Sequence, residues 1–85
     1  IEEELNGHSF LFSGRLEINY LNEKYDLSFP DGEYHTLSGY LVTRSERVPE
    51  QGETLEMDNF HFELTEVSNT KIEIVKVTRL EEEEG

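Results

Sequence analysis

The 85-residue chain has no cysteine and no tryptophan, a single methionine and two prolines. Without cysteine there is no disulfide and no cysteine-based zinc centre, and thiol redox chemistry is excluded. That pattern suits a reducing compartment. Long apolar runs are also missing, since nothing approaches the ~20 residues that a helix needs to cross a bilayer. No positively charged start followed by an apolar core marks a secretion leader. The chain begins at Ile1 rather than Met, and it is expected to be a piece of a longer protein. Basic residues are scarce as well. There are 7 Lys and Arg against 20 Asp and Glu, for a net charge of −13. Nucleic-acid binding needs clustered Lys and Arg, so that class is rejected.

The negative charge is concentrated at the ends. Glu2, Glu3 and Glu4 open the chain, and Glu81 to Glu84 close it. Like-charge runs are usually solvated and disordered. The expected organisation is therefore an acidic linker over residues 1–7, one domain over 8–80 and an acidic tail over 81–85. A domain of this length buries a modest share of its surface, and its stability is marginal. Support from a partner or a second copy would be useful.

The apolar pattern gives an α+β fold. His8 to Ser13 reads as a strand with apolar residues on both faces, covered on both and stopped by Gly14. Ile18, Leu21 and Tyr25 lie at i, i+3 and i+7 within a helix spanning Leu16 to Tyr25. Thr36 is a good N-cap for a second helix, with Leu37, Tyr40 and Leu41 on one side. Gly39 inside that helix implies close approach of another element. Pro49 to Gly52 fits a type I turn, and Asp58-Asn59 a two-residue hairpin loop. Phe60, Phe62 and Leu64 alternate with polar residues, as in a strand with one wet face. The alternation slips at Val67 and again after Ile74, which implies a β-bulge between the last two strands. The final three strands form an antiparallel meander.

In their order and spacing, Gly14-Arg15-Leu16, Leu21-Asn22-Glu23, Thr36-Leu37-Ser38-Gly39, Arg47-Val48-Pro49-Glu50-Gln51-Gly52 and Phe60-His61-Phe62 resemble the CorC/HlyC transporter-associated domain. The resemblance runs from roughly Phe10 to Thr78. It implies an antiparallel sheet with two short helices packed on one face, similar to a subdomain of flavin-binding oxidoreductases. It also implies a non-catalytic cytoplasmic accessory domain of a membrane-bound magnesium and cobalt efflux protein. The implied partners are a preceding pair of CBS domains and the membrane domain of the same chain, at the cytoplasmic face of the bacterial plasma membrane. No catalytic residue is carried over. The pattern departs from the family mainly at Asp26 to His35.

Catalytic groups are not evident from the residues either. No serine stands in a Gly-x-Ser-x-Gly elbow. His61 beside Glu63 makes at most half of a metal site, and a solvated pair is the simpler reading. Asp26, Asp31 and Glu33 lack the alternating ligand spacing of an EF-hand loop, so only weak divalent-cation binding is expected of the acidic surface. No cofactor is expected. The alternative ligand is flavin adenine dinucleotide or another adenine nucleotide, on fold likeness alone. It would lack the glycine-rich turn that a pyrophosphate needs at a helix N-terminus. Phe29, Tyr34 and His35, near the turn, are the candidate contact surface. His8 to Phe12 is a candidate edge strand for homodimer formation.

Overall fold

A computed structural model of the chain describes residues 1–80. The acidic tail expected over 81–85 lies outside the described residues. Seven elements follow one another: β1 (Glu2–Glu4), β2 (Ser9–Ser13), α1 (Ile18–Tyr25), α2 (Leu37–Ser45), β3 (Thr54–Met57), β4 (Phe60–Val67) and β5 (Ile72–Arg79). The strands form one antiparallel sheet in the order β1-β2-β5-β4-β3. Both helices cover the same face, as the sequence led us to expect, and the sheet's other face is open.

Alternation decides which residues are covered. Phe10, Val77 and Phe62 stand side by side across three strands, and Phe12, Val75 and Leu64 form the next row. All six are buried against Ile18 and Leu21 of α1 and against Leu37, Tyr40 and Leu41 of α2. Leu11 lies between the two phenylalanines, points to the open face and is only half-buried. The expectation that β2 is covered on both faces is therefore corrected. Period-2 alternation sends Leu11 away from the helices whatever its hydrophobicity.

The phase slips are real bulges. Leu64 pairs with Val75 and Glu66 with Ile74, so Thr65 is the extra residue on β4. Glu66 and Val67 then pair with Ile74 and Ile72, so Glu73 is the extra residue on β5. Two opposed single-residue insertions bend the ribbon and return Ile72 to the covered face. Asp58 and Asn59 have φ of 52° and 71°, the pair of positive values that a type I′ hairpin loop demands. The turn near Pro49 differs from expectation. Glu53 N–H donates to the Glu50 carbonyl, which makes Gly52 the third residue of the turn, at φ 88°. That value is the signature of type II, where glycine is favoured.

The first seven residues also depart from expectation. Glu2–Glu4 form the edge strand β1 instead of a free linker. β2 is therefore an interior strand, and the edge assigned to His8–Phe12 is covered.

Candidate contact surface

The loop between α1 and α2 is built outward from Asn22. The side-chain amide of Asn22 donates to the Phe29 carbonyl at 2.9 Å, and its Oδ1 accepts from Phe29 N–H at 2.9 Å. One side chain thus stands in for a strand partner and holds Phe29 in both directions. Upstream, α1 ends at Asp26, whose φ of 55° and N–H bond to the Asn22 carbonyl close the helix. The guanidinium of Arg79, on β5, donates to the Tyr25 carbonyl at 3.0 Å and satisfies another carbonyl at that end.

Pinned in this way, Phe29 turns inward. It is 3 % exposed and its ring lies 4.5 Å from Phe60 and 5.5 Å from Tyr40, centre to centre. Its place in the candidate contact surface is corrected: Phe29 is core. Tyr34 is half-buried, edge-on to Tyr40 at 5.3 Å, and its hydroxyl donates to the Pro30 carbonyl. Burial is the first cause that raises the Tyr34 pKa. A Cβ on Gly32 would lie 2.3 Å from the Tyr34 ring, so a larger residue there would have to displace the ring. Only His35 of the three candidates is exposed, while its carbonyl accepts from Ile18 N–H at 2.8 Å. The three residues do not form a common surface. Tyr34 and His35 instead border a small cleft of about 240 Å³ with Glu17, Ile18, Asn19, Asp31 and Gly32. Two carboxylates and no Lys or Arg line it, which disfavours phosphate groups.

Three polar clusters escaped the sequence reading, and each ties elements together. The Glu2 carboxylate of β1 accepts from Lys24 Nζ at 2.7 Å, from the Tyr25 hydroxyl at 2.6 Å and from the Tyr20 hydroxyl at 2.7 Å. Lys24 first, then Tyr25 and Tyr20, hold the Glu2 carboxyl down at about 2. The same contact raises Lys24, and its hydrogen bond to Glu2 raises Tyr25. Next, Asp58 in the hairpin loop accepts from the Tyr40 hydroxyl at 2.5 Å and from Arg44 at 2.6 Å, bracing the loop against α2. Burial, and then this hydrogen bond, push the Tyr40 hydroxyl far up. Finally, Arg47 grips Glu53 with both guanidinium nitrogens, and Glu50 N–H donates to the same carboxylate at 3.0 Å. Arg47, followed by the Glu50 N–H, holds Glu53 at about 2. The Arg47-x-x-x-x-x-Glu53 spacing around the turn was the available signal for the third cluster.

The glycines invert one expectation. At Gly14 an added Cβ would stand 2.0 Å from the Ile72 carbonyl oxygen, whereas at Gly39 the nearest neighbours would be Tyr34 Cβ at 3.2 Å and Thr36 Oγ1 at 3.3 Å. The close approach of backbone is at Gly14. There Gly14 N–H donates to Glu73, Ser38 N–H donates to Gly14, and the Ser38 hydroxyl accepts from Ile72 N–H at 2.9 Å. Thr36 caps α2 as expected, accepting from Gly39 N–H at 3.1 Å.

Among the described residues no group of three or more His, Asp or Glu is arranged to hold a metal ion. His61 Nδ1 lies 3.7 Å from Glu56 on the neighbouring strand, while Glu63 faces Lys76. No described helix is long and apolar enough to cross a membrane.

The family model for the transporter associated domain matches residues 3–81. The chain is 28% identical over 79 residues to a UPF0053 protein of Synechocystis sp., covering 88% of this chain and 18% of that protein. A magnesium and cobalt efflux protein CorC of Buchnera aphidicola is 25% identical over 75 residues, covering 88% of this chain and 27% of that protein. A polyamine export protein of Salmonella typhimurium is 26% identical over 86 residues, covering 95% and 19%. The chain thus spans about a fifth to a quarter of the length of these relatives. In solved structures, a conserved protein of unknown function from Haemophilus influenzae superposes with a TM-score of 0.85 at 21% identity, covering 94% of this chain and 99% of that one. The transporter associated domain from a CBS domain protein of Porphyromonas gingivalis gives 0.77 at 26% identity, covering 94% and 98%. With the match extending over nearly the whole chain and the same sheet-and-helix architecture in its neighbours, the chain belongs to the CorC_HlyC family of transporter-associated domains.

Proposed function

We propose that this chain is a non-catalytic accessory module of a membrane-bound cation exporter, acting at the cytoplasmic face by docking onto the rest of its own polypeptide. The observation that carries the reading is what the family-pattern residues do. Gly14, Asn22, Thr36, Ser38, Gly52 and Glu53 are all occupied in closing turns, capping helices and joining strands. Residues used in this way maintain a shape, and a maintained shape is what a docking module needs.

The proposed partners are a CBS-domain pair and the membrane domain of the same parent chain. The CBS domain protein that contains the Porphyromonas gingivalis module supports the first. The proposed cargo is magnesium and cobalt, in line with the Buchnera relative. Polyamine export is the second reading, and it rests on the Salmonella relative. Both cargoes are multivalent cations. The module is proposed to work without flavin or adenine nucleotide, and the acid-lined cleft beside Tyr34 supports that.

Deletion of residues 2–80 from the intact exporter tests the proposal, with magnesium and polyamine efflux measured in parallel. Loss of efflux, or of its regulation, is expected in one arm. Unchanged transport in both arms sinks the reading. Titrating the purified chain calorimetrically with flavin adenine dinucleotide and ATP is expected to give no heat of binding; micromolar binding would reverse the cofactor proposal.

A further inference from the structure

The edge strand β1 is attached in an unusual way. Glu3 and Glu4 are exposed, and so are the flanking Ile1 and Leu5, so the strand brings no buried apolar side chain to the core. Backbone bonds hold it, among them Ser13 N–H to the Ile1 carbonyl at 2.7 Å and Leu5 N–H to Ser9 at 2.9 Å. The remaining attachment is the Glu2 cluster on α1, where one carboxylate takes Lys24, Tyr20 and Tyr25 together. The Lys24 ammonium also lies 5.5 Å from the centres of both tyrosine rings. Segments with few buried apolar contacts open locally without unfolding the rest.

Beneath β1 lies a different kind of strand. β2 is Ser-Phe-Leu-Phe-Ser, without a charge, and Phe10 and Phe12 anchor it at 1% and 0% exposure. When β1 leaves, β2 stays in place and presents a row of unpaired backbone groups. An uncharged, well-ordered edge is a template for another strand. β1 itself presents the exposed Glu3 and Glu4 at the sheet margin, which deter the addition of a further strand.

We propose that β1 is a releasable strap, latched by Glu2 to α1, and that the uncovered edge of β2 pairs antiparallel with the same edge of a second copy of this chain. A two-fold pairing centred on Leu11 sets Phe10 of each copy opposite Phe12 of the other, on the face that carries the helices. Aromatic cross-strand pairs are among the favourable ones. The partner is a second copy because β2 is self-complementary and uncharged, whereas like-charged β1 edges repel. The inference goes beyond the transporter reading and stands whether or not that reading does.

The test uses the chain itself. Deleting residues 1–4 removes the strap but keeps Asn6, whose Oδ1 accepts from His8 and Ser9 N–H and orders the start of β2. Light scattering after size exclusion, at concentrations of about 0.5 mM, is expected to give a monomer for the wild type and a dimer for the deletion. Adding Leu11→Lys, a charge at a half-exposed edge position, is expected to restore the monomer. Equal mass for wild type and a folded deletion overturns the proposal. If the deletion does not fold, Glu2→Lys serves instead, setting two ammonium groups against each other at the latch. Amide exchange at Ser13 is then expected to quicken about tenfold with Phe62 unchanged, because the opening is local. Unaltered exchange at Ser13 overturns the strap.

Discussion

Replacing Gly14 with Ala probes the tightest point of the fold. Gly14 is not in the positive-φ region, so the expected damage is steric and not torsional. The new methyl would stand 2.0 Å from the Ile72 carbonyl oxygen, 3.0 Å from its carbonyl carbon and 3.1 Å from Ser38 Cβ. Two of those three atoms are backbone, so relief requires β2 to part from the start of β5. Overpacking of this kind costs about 1–3 kcal/mol. Separation also strains the bond from Ile72 N–H to the Ser38 hydroxyl, which is buried, and an unmet buried donor costs about 1–3 kcal/mol. We expect about 3 kcal/mol in all, against a total stability on the order of 4–13 kcal/mol for a domain of this length. At roughly 4–8 °C per kcal/mol, the melting temperature should fall by roughly 12–24 °C. Gly39→Ala is the control. Its methyl meets only side-chain atoms, at 3.2 and 3.3 Å, and Ala regains up to ~1 kcal/mol of helix propensity. A net change within about 1 kcal/mol of zero is expected. Urea denaturation of both variants measures the pair. A Gly14→Ala cost below about 1 kcal/mol, or a Gly39→Ala cost that exceeds it, refutes the assignment of the close approach to Gly14.

Asn22→Ala removes both bonds to Phe29, and a loss of about 2 kcal/mol is expected by denaturation, with faster amide exchange at Phe29. Tyr40→Phe leaves the ring in place but deprives Asp58 of a donor; about 1 kcal/mol should be lost by urea denaturation, and Arg44→Ala in the same background should cost more, because it removes the other donor to Asp58. The Glu2 and Glu53 carboxyls are held at about 2 in the folded chain, below the ordinary glutamate range, by Lys24 and Arg47 respectively. A depressed carboxylate stabilises the fold fully above the unfolded pKa and loses that effect as pH falls through the folded one. The melting-temperature gap between wild type and Glu2→Gln/Glu53→Gln should therefore be constant from pH 7 to about 5 and close between about 4.5 and 2. A gap that widens on acidification contradicts the sign.

The local chemistry of this chain was readable where a single residue type answers a single backbone demand. Thr36 at the start of α2, Asp58-Asn59 between β3 and β4, and the slipped alternation near Val67 each state their role within a few positions. What was hidden depends on partners far along the chain. Three glutamates in a row look solvated, and nothing near them reveals that Lys24 and Tyr25, more than twenty positions on, complete a site for Glu2. Phe29 sits in a loop beside a proline and so looked exposed; its burial follows from Asn22, seven positions earlier, fixing its peptide. Gly39 drew attention because glycine is costly in a helix, while Gly14 passed for a simple strand end, although it carries the backbone contact with Ile72. Of the candidate surface around Asp26–His35, Phe29 is lost to the core, while Tyr34 and His35 border the cleft beside α1.

The proposed docking of this shape-keeping module onto the rest of its parent chain has a direct test. Cross-linking with mass spectrometry on the intact exporter in membranes tests it most directly, using the exposed amines of Lys24 and Lys71. Cross-links from this module to other segments of the same polypeptide are expected, and they should weaken when the intact protein carries Gly14→Ala. Cross-links confined to the module, with none to the CBS pair or the membrane domain, would contradict it.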